Sequence, residues 1–123
     1  GVLVRFHAIE GATQDATWRI MATAFAVVVP SRNCDALPRV ALEAAYLGVP
    51  VIGSDRGGLP EITPAIVPAG DPAALATEIR RMVEDPAYRQ TVAEECQRRA
   101  RTRFSETAAC EAVEGMYGGA VRW

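Results

Sequence analysis

The chain has no lysine: all thirteen of its basic side chains are arginine. With the heavy use of alanine, this points to a GC-rich bacterial genome, which is a statement about codons and not about chemistry. Histidine occurs once, at His7, so no histidine pair can hold a metal. There is no Asp-x-Asp, and Cys34, Cys96 and Cys110 form no Cys-x-x-Cys and no cluster. The usual spacings of metal sites are therefore missing, and neither metal nor other cofactor is expected. Three cysteines without framework spacing suit a reducing compartment. No apolar run approaches membrane-spanning length and no signal-peptide pattern opens the chain, so the expected location is cytoplasmic. Positive charge is not in excess, because the net charge is -2, and nothing electrostatic favours nucleic acid. Half of the 123 residues are hydrophobic, which gives one globular domain with one core rather than a disordered chain.

What is present is concentrated between Ala26 and Ile62. Ala26-Val27-Val28-Val29 is a short β-branched run stopped by Pro30, which suits a buried parallel strand. A short polar loop follows. Pro38 fits the first position of a helix, where its missing N–H costs nothing. Val40, Leu42, Ala45 and Leu47 supply that helix with apolar content, Gly48 ends it, and Pro50 begins the next strand through Val51 and Ile52. Ser54-Asp55-Arg56-Gly57-Gly58 then makes a tight loop, because paired glycines permit positive φ and close backbone approach.

The result is a βαβ unit with polar loops at the carboxyl ends of its strands, the edge where doubly wound sheets bind ligands. Two acids stand there. Asp35 precedes the helix and Glu43 lies inside it, eight residues on. A carboxylate suits sugar hydroxyls because it accepts two hydrogen bonds from a vicinal diol. The helix N-terminus near Pro38, Arg39 and Val40 favours a phosphate.

These residues carry a resemblance. Pro30-Ser31, then Asp35 through Ala44, then Gly48-Val49-Pro50-Val51-Ile52, then Gly57-Gly58-Leu59-Pro60-Glu61 resemble the C-terminal half of a retaining glycosyltransferase of family 4, with the GT-B fold. The pattern is two acids with seven residues between them, a Gly-x-Pro-Val strand and a Gly-Gly-x-x-Glu loop, and it runs in order almost without gaps. The first acid is usually Glu; Asp35 keeps the charge but is one methylene shorter. The resemblance implies a sugar donor activated as a nucleoside diphosphate, with no metal anchoring the diphosphate. It implies Glu43 on the donor ribose hydroxyls, Asp35 beside the sugar, and the backbone at Leu37, Arg39 and Val40 near the diphosphate. No residue reads as an obvious general base; Asp35 is the nearest to a catalytic candidate.

The fold it implies is α/β, a partial Rossmann-like three-layer sandwich. A short parallel sheet of three to four strands would start at Val2, Phe25 and Pro50, with a small strand near Ile66 and helices on both sides. Residues 1–123 would form a single partial domain. The chain begins at Gly1 and enters a strand, Val2–Phe6, at once, so the boundary reads as a cut. The family's cationic diphosphate loop and its whole N-terminal acceptor domain would precede it. The parent is expected to be a glycosyltransferase of the hexosyltransferase class, and this segment alone to be inactive. A missing half-sheet would leave Val2–Phe6 with a bare edge, so pairing of that strand across a homo-oligomer is a further expectation.

Elsewhere the signals are plainer. His7 falls in the loop where the family meets the nucleobase, but a surface or structural role is the better reading. Thr13 or Asp15 caps a helix in which Trp18, Met21, Ala22 and Phe25 recur at helical spacing, as core rather than as a base-stacking platform. Glu61 either approaches the donor sugar or caps a single turn, Leu59–Ile62. Asp71-Pro72 and Asp85-Pro86 each start a helix, the first with Leu75, Ile79, Met82 and Val83 as its apolar stripe, the second running to Arg103 with Tyr88, Val92 and Cys96 inward. Ser105 caps a last helix, Glu106 to Tyr117. Arg98, Arg99, Arg101 and Arg103 read as a solvated face interleaved with Glu94, Glu95 and Glu106, against the alternative of a peripheral patch at the inner face of the membrane. Two other classes of function stand beside the main one: a non-catalytic assembly module, and a different phosphate-ligand binder of Rossmann type. The latter lacks a Gly-x-Gly-x-x-Gly after its first strand.

Overall fold

The computed structural model describes residues 13–32 and 39–103. The expected strand Val2–Phe6 and its oligomer edge, His7, Asp35, Leu37, Pro38 and the terminal helix lie outside the described residues. Eight elements follow in order: α1 (Gln14–Ala22), β1 (Val27–Val29), α2 (Arg39–Tyr46), β2 (Val51–Ser54), α3 (Leu59–Ile62), β3 (Ile66–Val67), α4 (Pro72–Glu84) and α5 (Pro86–Arg103). The strands form one parallel sheet in the order β1-β2-β3, with Val28 opposite Ile52 and Gly53 opposite Ile66.

β2 is central and buried along its whole length. Successive side chains of a strand point to opposite faces, so helices must cover both sides of the sheet there. α2 packs on β1 and β2, α3 and α5 on β2, and α4 on β3. The core gathers Trp18, Leu42, Ile52, Leu59, Ile62 and Met82, all wholly buried. Gly53 lets α3 come close: a Cβ there would meet Leu59 Cβ at 3.2 Å and Ile66 Cδ1 at 3.4 Å.

The helix starts are as read. Thr13 Oγ1 accepts from Ala16 N–H at 3.2 Å, Asp71 Oδ1 from Ala74 N–H at 3.0 Å, and Asp85 Oδ1 from Tyr88 N–H at 3.0 Å. α2 ends in a Schellman motif. Gly48, at φ 80°, donates to Ala45 C=O, and Val49 N–H reaches back to Ala44 C=O at 3.0 Å. In the loop after β2, only Gly57 takes positive φ; Gly58 sits at φ -84° and caps α3.

Several expectations are corrected. α1 stops at Ala22, so the helical spacing runs out before Phe25. Ala22 and Phe25 are exposed, the ring lying under the Arg89 guanidinium at 4.6 Å, and the strand begins at Val27 rather than Phe25. Val28 is exposed, so β1 is not a fully buried strand. Of the expected stripe on α4 only Met82 is wholly buried; Ile79 and Val83 face out, because α4 rests on a two-residue edge strand and on α5. Val40 is exposed at the start of α2. The arginine run is divided. Glu95 takes Arg98 Nη2 at 2.6 Å on the surface, whereas Arg99 is folded inward, bonding Glu95 at 2.9 Å and Pro60 C=O at 3.3 Å. Among the described residues, no helix is long and apolar enough to cross a membrane.

Candidate functional site

Glu43 is the acid that the fold treats unlike the rest. It lies in the second turn of α2, between Leu42 and Ala44, both of which face the core, and is only 5% exposed. A buried carboxylate must be paired and hydrogen-bonded. Its Oε2 accepts the indole N–H of Trp18 at 2.7 Å, from α1, and its Oε1 accepts Arg39 Nε at 3.0 Å, one turn back on α2. The indole is wholly buried, whereas the Arg39 side chain is 59% exposed. The carboxylate is thus held on one side by a fixed neutral donor and on the other by a surface cation, a charge-assisted contact.

Arg39 and Val40 form the first turn of α2, where backbone N–H groups point out of the helix end and the macrodipole is positive. Structure therefore brings Glu43, Arg39 and Val40 to one end of one helix. Glu61 stands apart, exposed on the single turn α3, whose N-cap Gly58 has no side chain.

The carboxyl edge of the sheet is braced around this helix. Ser54 Oγ donates to Ser31 C=O at 2.5 Å, tying the end of β2 to the segment that leaves β1. Asp55 N–H donates to Val67 C=O at 3.0 Å, and Asp55 Oδ1 accepts from Ala69 N–H at 2.9 Å. Between these ends opens a cleft of about 260 Å³ lined by Pro30, Arg32, Ser54, Val67, Pro68 and Asp71, among others. None of Glu43, Arg39, Val40 or Glu61 lines it. The cleft and the buried acid are separate features of the same edge.

Two features were not read in the sequence: the Trp18–Glu43 bond, and Arg32 at the cleft. The first had a signal. A buried indole N–H needs an acceptor, and Glu43 is the one acid of a helix that is apolar from Val40 to Ala45 apart from it. Among the described residues no group of three or more His, Cys, Asp or Glu side chains could hold a metal ion.

Residues 5–85 match the family described as glycosyl transferases group 1. D-inositol 3-phosphate glycosyltransferase of Streptomyces avermitilis is 34% identical over 125 residues, covering 98% of this chain and 26% of that protein. The capsular polysaccharide biosynthesis glycosyltransferase CapM of Staphylococcus aureus is 32% identical over 83 residues, covering 63% of this chain and 22% of that protein. Among solved structures, sucrose-phosphate synthase from Thermosynechococcus elongatus superimposes with a TM-score of 0.64 at 34% identity, over 82% of this chain and 26% of that one. The chain thus spans about a quarter of the length of these relatives, consistent with a three-stranded portion of a GT-B glycosyltransferase domain. On the family match, the fold and these relatives together, the chain belongs to the glycosyl transferases group 1 family.

Proposed function

We propose that this chain is the donor-binding portion of a glycosyltransferase that moves a hexose from a nucleoside diphosphate to an acceptor hydroxyl with retention of anomeric configuration. The observation that carries it is Glu43: a core-facing carboxylate, oriented from two sides, at the phosphate-favouring end of α2. Glu43 receives the ribose diol. The first turn of α2, with the backbone of Arg39 and Val40 and of Leu37 before it, receives the diphosphate. Asp35 lies beside the sugar. No metal is needed for the diphosphate, its charge being offset by the positive end of α2 together with cationic side chains from the rest of the enzyme. Residues 1–123 act as one partial domain whose catalysis requires the rest of a longer cytoplasmic enzyme.

Titration calorimetry with UDP, GDP and ADP tests this. One of the three is expected to bind, and Glu43→Ala to weaken it by at least roughly tenfold, the loss of charge-assisted hydrogen bonds. A folded chain that binds none of the three, or an alanine variant that binds as well as the wild type, would overturn the reading.

A further inference from the structure

Glu43 accepts two hydrogen bonds from described residues, and these two are unequal. A carboxylate that recognises a diol must present its oxygens in a fixed plane, or the two hydroxyls cannot both be met. Arg39 supplies less of that fixity: Glu43 is buried, but the Arg39 side chain is 59% exposed, so the cation end of the pair is solvated and its long stem is free to move. The helix backbone cannot supply it by itself, since the last torsion of a glutamate side chain has only broad preferences of its own. Trp18 can. Its ring is wholly buried, its position is set by core packing, and its N–H meets Oε2 at 2.7 Å along one direction. The bond crosses from α1 to α2, 25 residues apart in the chain.

We propose that Trp18 is a positioning residue for donor recognition: its indole N–H fixes the plane of the Glu43 carboxylate, and so sets the preference for a ribose over a 2′-deoxyribose in the bound nucleotide. This rests on the reading of Glu43 as the ribose-binding acid. Trp18 touches no ligand; it acts through the acid. The oxygen on the Arg39 side meets the 2′-hydroxyl, because its partner is at the surface and can turn away, while Oε2, which Trp18 holds, keeps a second lone pair for the neighbouring hydroxyl.

The test is a binding comparison of the full chain with a ribonucleoside diphosphate and its 2′-deoxy counterpart, the base being the one that binds best. The wild type is expected to prefer the ribose form by roughly tenfold to a hundredfold, the range for a hydrogen bond to a charged group. Trp18→Phe removes the N–H and keeps an aromatic ring. Replacement by 3-benzothienylalanine keeps nearly the whole indole shape without the donor, and serves if the phenylalanine variant does not fold. Either variant is expected to bring the preference to within about twofold while the deoxy form binds as before. A packing defect would weaken both nucleotides alike. If the Trp18 variants keep the wild-type preference while Glu43→Ala loses it, the positioning role falls and the reading of Glu43 stands. If the wild type itself shows no preference, or does not bind, both fall together.

Discussion

Thr63 Oγ1 donates to the Val51 carbonyl at 2.6 Å and accepts from Ala65 N–H at 3.1 Å, with the side chain wholly buried. One hydroxyl therefore joins the start of β2 to the residues that lead into β3. Thr63→Val keeps the shape and leaves both backbone groups without this partner. The expected cost is about 1–3 kcal/mol, read as a lower urea midpoint at unchanged slope. Thr63→Ser, which keeps the hydroxyl, should lose less.

Gly48 and Gly70 both take positive φ, 80° and 75°, but only the first has a neighbour in the way. A Cβ on Gly48 would lie 3.2 Å from Gln97 Nε2, the group that donates to Tyr46 C=O at 3.3 Å; a Cβ on Gly70 meets nothing within 4 Å. Alanine at either position should cost about 1–2 kcal/mol for left-handed backbone. The Gly48 variant should fall further in thermal unfolding, and adding Gln97→Ala should narrow that difference.

Tyr88 hydroxyl donates to Glu78 Oε1, and Arg81 stacks on the ring at 3.6 Å, clipping α4 to α5. Burial, and then the Glu78 carboxylate, push the phenol up to about 12. Because the folded value lies above the ordinary one near 10, the neutral form is what folding favours. Its stabilisation is fully present below pH 10 and is lost as pH rises toward 12. Phenolate absorbance should show one tyrosine ionising late in the folded chain, absent from Tyr88→Phe, whose alkaline unfolding should also be less steep.

At the other end of the scale, hydrogen bonds from Arg98 and then Arg99 hold the Glu95 carboxyl down to about 2. A depressed acid stabilises the fold above its ordinary range and loses that stabilisation as pH falls through the folded value. Glu95→Gln should flatten acid unfolding between about pH 4.5 and 2. Since Arg99 also bonds Pro60 C=O, the same variant should raise hydrogen exchange in the α3 turn.

Much of this architecture was legible because its signals are local. Asp71-Pro72 and Asp85-Pro86 announce helices α4 and α5, Gly48 announces the end of α2, and each depends on a few consecutive residues. Phe25 and Val83 misled, because apolar spacing says which face of an element could be buried and not whether another element lies over it. Phe25 falls beyond the helix that its spacing continued, and Val83 is on an edge helix with little to cover it. The candidate site divides the same way. Glu43 stands out in the sequence by its spacing from Asp35, whereas its partner Trp18 reads as core, because a buried indole signals only that its N–H needs an acceptor and not which residue of another helix supplies it.

Arg89 has a consequence for the chain's behaviour in solution. Its guanidinium donates to Met82 C=O at 3.0 Å at the end of α4 and lies over the Phe25 ring. Phe25 is the most exposed of the large apolar side chains described, yet one flat side of it is roofed by a guanidinium, a polar group. What would be a sticky carbon surface is thereby made wettable. Loss of Arg89 would show first as clouding of a concentrated solution, with the fold itself little changed.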